Sequence, residues 1–145
     1  MIIFVENRII ETMHHFHSLK VIEIIKETND SVHISLEVPG NLQHEFQFQQ
    51  GQYLNVRFQL NGEDLRRSYS IINAPSEKSS SLEILVKHLD RGIVSTYLNH
   101  ELKNGDFIEV LAPQGHFFTN YHPSNEKTYV GLAAGSGISP ILSNI

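Results

Sequence analysis

Several short stretches of this chain alternate apolar and polar side chains, and turn signals separate them. Val32, Ile34, Leu36 and Val38 alternate with polar neighbours until Pro39-Gly40-Asn41, the period-two mark of a strand with one buried face. Tyr53, Leu54, Val56, Phe58 and Leu60 make another strand. Asn61-Gly62 then gives the strongest short hairpin signal, and Leu65 to Ile72 returns as its partner. Leu82, Ile84 and Val86 repeat the alternation after a serine-rich loop at 76–81. An apolar run from Leu19 through Val21, Ile22 and Ile24 to Ile25 precedes these strands, and Phe107, Ile108, Val110 and Leu111 follow them. Leu42 to Gln50 reads as a polar–aromatic connection with Phe46 and Phe48 facing inward.

One helix interrupts the pattern. Val94, Tyr97, Leu98 and Leu102 fall on one face of a 3.6-residue period. Ser95 and Thr96 are placed to cap its start, and Asn104-Gly105 supplies the exit. The fold class predicted is all-β: a six-stranded antiparallel Greek-key barrel with one capping helix. Tyr129-Val130-Gly131-Leu132 does not fit that barrel, because it reads as a short buried strand running into Ala133-Ala134-Gly135-Ser136-Gly137. Strand followed by glycine turn resembles the opening of a parallel α/β unit. The chain therefore divides into a leader at 1–15, a barrel at 16–125 and the start of a truncated nucleotide-binding domain at 126–145.

Composition narrows the functional classes. With 40% apolar residues in a chain of 145, one core is within reach. A net charge of −5 argues against general nucleic-acid binding, which needs clustered Lys and Arg. The absence of cysteine excludes disulfides, Cys-ligated zinc and Cys-ligated iron–sulfur clusters within the chain. No apolar run approaches ~18 residues, and the first residues lack the basic region of a signal peptide. The expectation is a soluble, cytoplasmic protein with no membrane partner. His14, His15 and His17 cluster near the start, but no further ligand stands at a known metal spacing. That segment reads as a solvated leader with no metal site.

Three segments can carry chemistry. In Arg66-Arg67-Ser68-Tyr69-Ser70, alternation puts Arg67 and Tyr69 on one face and Ser68 and Ser70 on the other. A guanidinium beside a ring can hold a phosphate while the ring stacks on a planar ligand; taken alone, the pentapeptide reads first as an ordinary half-exposed strand. Gly92-Ile93-Val94-Ser95 opens the helix with backbone N–H groups suited to a pyrophosphate, although such starts occur in every domain. Gly135-Ser136-Gly137-Ile138-Ser139-Pro140 follows the predicted strand but lacks the third glycine of a dinucleotide fingerprint.

The order and spacing of these motifs resemble the flavin-binding domain of the ferredoxin–NADP reductase superfamily, over roughly Phe16 to Ser143. The matching stretches are Arg67-Ser68-Tyr69-Ser70, Leu85-Val86-Lys87, Gly92-Ile93-Val94-Ser95, Pro113-Gln114-Gly115-His116-Phe117 and Gly135-Ser136-Gly137-Ile138-Ser139-Pro140. Gly51-Gln52-Tyr53 also matches, with Gln50 where the family has proline. Gly62 to Ser70 looks closest to the reductase components of multicomponent oxygenases, such as that acting on phenylacetyl-CoA.

The resemblance implies a role for each matching residue. Arg67 would hold the FAD pyrophosphate, Tyr69 would stack on the isoalloxazine, and Ser70 would hydrogen-bond at flavin N5. Ser68 shares the cofactor-binding motif. Leu85, Val86 and Lys87 would line the cofactor largely through backbone groups. Gly92, Ile93 and Val94 would offer helix N-terminal amides, and Ser95 a hydroxyl. Ser136 would lie near the flavin–nicotinamide contact, making Tyr69, Ser70 and Ser136 the candidate catalytic residues. Leu89-Asp90-Arg91 holds no counterpart to the adenine-stacking aromatic of some members, so FMN stays open as the lesser alternative to FAD.

The implied activity is that of an NAD(P)H-dependent oxidoreductase passing electrons through FAD to an iron–sulfur domain or oxygenase component. A non-catalytic flavin- or nucleotide-binding module on the same fold is the alternative. With only the opening of a dinucleotide domain in sequence, the chain alone is not expected to sustain NAD(P)H turnover.

Overall fold

A computed structural model describes residues 15–76, 80–122 and 124–145; residues 1–14 of the predicted leader lie outside the described residues. Six strands form one antiparallel sheet: β1 (His17–Thr28), β2 (Ser31–Glu37), β3 (Tyr53–Leu60), β4 (Glu63–Ser70), β5 (Ser81–Lys87) and β6 (Phe107–Val110). Their order is β4-β3-β6-β1-β2-β5. The helix α1 (Ile93–His100) connects β5 to β6, and a single turn of helix, α2 (Ser139–Leu142), lies near the end of the chain.

The alternating residues bury as a period of two requires. Leu19, Val21, Ile34, Leu36, Leu54, Val56, Leu82, Ile84, Val86, Ile108 and Val110 are all buried in one cluster. Val94 and Leu98 of α1 join it, and the Tyr97 ring packs against Phe58 at 5.6 Å. The apolar run of β1 is not wholly interior: alternation with Leu19 and Val21 leaves Ile22 on the surface, and the register shift between Val21 and Glu23 moves the next inward position to Ile24. Asn61 and Gly62 both take positive φ, 53° and 80°. That is the two-residue turn whose twist suits a hairpin, so pairing resumes at Leu60↔Glu63 and β4 begins two residues earlier than predicted.

Three expectations need correction. The sheet is not closed by a continuous ladder, since its edge strands meet at a single bridge, Ile71↔Ile84. Counting that bridge, β3, β4 and β5 run consecutively and β6 returns to pair with β3, which is a Greek-key order. The predicted strand at Tyr129–Leu132 does not form: Val130 is 79% and Leu132 is 89% exposed. A parallel strand needs neighbours to take its backbone groups and cover its faces, and no described strand runs beside it. Only the glycine turn that follows is regular, as a 3-10 turn at Gly135–Ile138. Finally, the N-cap of α1 is Gly92, with no side-chain cap; the Ser95 hydroxyl is used differently, as described below.

Candidate functional site

Register assigns the faces of β4. Leu65, Arg67 and Tyr69 stand opposite Phe58, Val56 and Leu54, and directly paired residues share a face. Arg67 and Tyr69 therefore lie on the core side of the sheet, with Arg66 and Ser68 on the outer side. The outer residues are occupied. Ser68 donates to Asn55 Oδ1 at 2.5 Å, and Asn55 Nδ2 donates to Gln114 Oε1 at 2.8 Å. Arg66 pairs with Asp64 at 3.3 Å and lies 5.3 Å from the Phe16 ring centre. Across the pair, Arg57 makes a two-bond contact with Glu109, at 3.0 and 2.7 Å.

The inner residues contrast with these. The only hydrogen bond of the Arg67 guanidinium among the described residues runs from Nη1 to the Arg66 carbonyl at 2.6 Å, and no carboxylate meets it. Tyr69 is half-buried. Burial pushes its phenol above the ordinary value, with the nearby Arg67 charge opposing, so the ring stays neutral. The Tyr69 hydroxyl makes no hydrogen bond among the described residues, and neither does that of Ser70, which the register places on the outer side with Ser68.

The tertiary fold sets a second wall against this strand. β4 and β5 touch at Ile71↔Ile84, where Ile72 N–H also donates to Glu83 O at 2.9 Å. Beyond that point no pairs join them: β4 recedes through Ser70, Tyr69 and Arg67 while β5 runs on through Leu85, Val86 and Lys87. Strand backbone groups alternate sides. With Glu83 O facing β4, those of Leu85 and Lys87 face the open side. Val86 is fully buried in the core. The Lys87 ammonium turns away to Asp30 at 3.3 Å. A hydrogen bond from Thr28, followed by that ammonium, holds the Asp30 carboxyl below its ordinary range.

Beyond β5 the chain makes a tight turn into α1. Gly92 N–H donates to Leu89 O at 2.9 Å, and Thr96 N–H makes the first helical bond, to Gly92 O at 2.9 Å. The N–H groups of Ile93, Val94 and Ser95 precede that bond and meet no acceptor among the described residues, as expected of a helix start without a side-chain cap. Ile93 is exposed and Val94 buried.

Ser95 does not offer its hydroxyl outward. It is buried, accepting from Leu89 N–H and donating to Gly92 O, both at 3.1 Å. Gly92 fits only because it lacks a Cβ, which would sit 2.4 Å from Ser95 Oγ. Arg91, inside the turn, takes a φ of +62°, a conformation that costs a non-glycine residue about 1–2 kcal/mol.

Other motif residues turn out to be packing devices. Gly51 has a φ of +78° and a Cβ there would meet Phe117 O at 1.8 Å, while Gly115 packs flat against the Tyr53 ring. These contacts seat the 113–117 loop at the start of β3, where Tyr53 pairs with Gln114. Ser136, in the exposed glycine turn, makes no hydrogen bond to Tyr69 or Ser70. The segment after it docks nearby, since Ser143 Oγ donates to the Asn73 carbonyl at 2.9 Å. His17, with no further ligand at a metal spacing in sequence, meets Glu45 at 2.8 Å from 28 residues away. A cleft of about 310 Å³ between Val38, Phe46 and Leu82 lies apart from all the predicted site residues.

An unpaired arginine, a half-buried ring, an open strand edge and a helix start with free N–H groups suit a nucleotide cofactor carrying a diphosphate and a planar ring. Sequence comparison agrees. The family described as oxidoreductase FAD-binding domain matches residues 18–119. One component of the 1,2-phenylacetyl-CoA epoxidase of Escherichia coli (strain K12) is 40% identical over 135 residues, 92% of this chain and 37% of that protein. An NADPH oxidoreductase of Mycobacterium tuberculosis (strain ATCC 25618 / H37Rv) is 32% identical, covering 86% of this chain and 32% of its own length. Phthalate dioxygenase reductase, a solved modular structure for electron transfer from pyridine nucleotides to 2Fe-2S, superposes with a TM-score of 0.69 and 28% identity. That alignment covers 88% of this chain and 38% of that one. The chain belongs to the oxidoreductase FAD-binding domain family, and it spans about a third of the length of these relatives. No helix among the described residues is long and apolar enough to cross a membrane.

Proposed function

We propose that this chain is the FAD-binding part of an NAD(P)H-dependent oxidoreductase. In this reading it passes electrons from NAD(P)H through FAD to an iron–sulfur or oxygenase acceptor, in the cytoplasm. The observation that carries the reading is the parting of β4 from β5. It leaves Arg67, Tyr69 and Ser70 on one wall, and the Leu85–Lys87 edge and the start of α1 on the other. The 40% identity to an epoxidase component supports an oxygenase of phenylacetate degradation as the acceptor. Residues 126–145 are read as the start of the nucleotide-binding unit, with Ser136 near the nicotinamide.

Bound FAD would supply the redox chemistry, taking a hydride and releasing electrons singly. The residues bind and orient. Arg67 would neutralise diphosphate charge with a fork of N–H donors, assisted by the N–H groups of Ile93 and Val94, the Gly92 N–H being committed to Leu89 O. Tyr69, held neutral by burial, would stack its ring on the isoalloxazine and keep water from that face. Ser70, next along β4 though on the face opposite Tyr69, would offer its hydroxyl to N5. Leu85 and Lys87 contribute backbone groups, the Lys87 side chain being committed to Asp30. Ser68 and Ser95 act at one remove: Ser68 braces β4 through Asn55, and Ser95 fastens the turn before α1.

Titrating the purified chain with FAD and with FMN tests the proposal. The expected result is saturable, non-covalent binding of FAD with quenched flavin fluorescence. A folded chain that binds neither flavin refutes it.

A further inference from the structure

Arg91 has no role in the site as described, yet its setting is unusual. Its φ of +62° is in the left-handed region, which glycine enters freely and arginine does not. The turn Leu89–Gly92 puts it third, a position that takes glycine or asparagine when φ is positive. The conformation is imposed from below, because the buried Ser95 hydroxyl fastens both Leu89 N–H and Gly92 O. Above the turn the side chain is exposed, and its guanidinium makes no hydrogen bond or ion pair among the described residues. Immediately after it come the helix-start N–H groups of Ile93 and Val94. An arginine held at a conformational cost, without an anion, beside unoccupied N–H groups, points to an anionic ligand.

We propose that Arg91 is a specificity-determining residue that holds the adenylate-side phosphate of FAD and thereby favours FAD over FMN. The inference rests on the reading of this site as FAD-binding. FMN ends in one phosphate, whereas FAD carries two and an adenosine. Arg67 stands on β4 and Arg91 in the turn that leads into α1, so the two guanidiniums would be shared between the two phosphates of FAD. With no aromatic ring at 89–91 to stack on adenine, charge is the means of discrimination left to this turn.

The test compares FAD and FMN titrations of the wild-type chain with those of Arg91→Gly, Arg91→Asn and Arg91→Lys. Glycine and asparagine both accept a positive φ, so the unfolding midpoint of the flavin-free chain should stay level or rise in the first two variants. Their Kd for FAD should increase about tenfold or more, the effect of losing a hydrogen bond to a charged group. The Kd for FMN should not change, the lysine variant should keep part of the FAD affinity, and FAD binding should become less salt-dependent. An unchanged FAD affinity, an equal loss for both flavins, or a lowered midpoint in both small-residue variants would overturn the role of Arg91. A wild-type chain that binds neither flavin would overturn the underlying reading instead.

Discussion

Replacing Gly92 with alanine isolates the contact that shapes the turn before α1. The backbone there, φ −79° and ψ 105°, accepts any residue, so the whole cost is steric. The added Cβ would lie 2.4 Å from Ser95 Oγ, and 3.1 and 3.2 Å from Leu89 O and Cβ. Leu89 is 61% exposed and can yield by the few tenths of an ångström required, but at 2.4 Å the buried Ser95 hydroxyl must swing away. It then loses the bonds to Leu89 N–H and Gly92 O. Two neutral hydrogen bonds at about 0.5–1.5 kcal/mol each give a destabilisation of roughly 1–3 kcal/mol. For a domain of this size each kcal/mol lowers Tm by about 2–4 °C.

Ser95→Ala removes the same two bonds without any clash, and it also removes the atom that Gly92→Ala strikes. Thermal unfolding of both single variants and the double should therefore be strongly non-additive, with the double no worse than Ser95→Ala alone. FAD binding should weaken in all three, since the turn no longer aims the amides of α1. Additive losses, or a Gly92→Ala chain with wild-type Tm and FAD affinity, would refute the argument.

Arg67→Ala should weaken FAD binding by roughly 1.5–3 kcal/mol, while Arg66→Ala, whose partners are Asp64 and Phe16, should change it little; equal losses by calorimetry would mean the register of β4 is misread. Gly62→Ala has open space around it but a φ of +80°, so urea unfolding should show a loss of about 1–2 kcal/mol with unaltered FAD affinity. The hydrogen bonds from Arg57 hold the Glu109 carboxyl below its ordinary value. A depressed carboxylate stabilises the fold above the unfolded-state value, and that contribution disappears as pH falls through the folded-state value. Glu109→Gln should therefore flatten the acid limb of the urea-midpoint profile below the ordinary carboxylate range, and a limb unchanged in the variant would count against the pair.

Local features of the chain were enough for its strands, its helix and one face of its site. Side-chain direction alternates within a strand regardless of what lies beside it, so the buried sets of β2, β3 and β5 could be read directly. Asn61-Gly62 names its own turn because only such residues take two positive φ values cheaply, and the same alternation put Arg67 and Tyr69 together. What decided the site was pairing between distant segments. The order β4-β3-β6-β1-β2-β5 and the single bridge that parts β4 from β5 depend on which strands meet, which no local pattern encodes.

Partners supplied from elsewhere in the chain also redirected individual groups. Asp30 claims the Lys87 ammonium, Asn55 claims Ser68, Glu45 claims His17, and the turn at 89–92 draws the Ser95 hydroxyl inward. The apolar run at Tyr129–Leu132 shows the converse. Its sequence is that of a strand, but strand geometry holds only where neighbouring strands take up the backbone hydrogen bonds, and none of the described strands lies beside it.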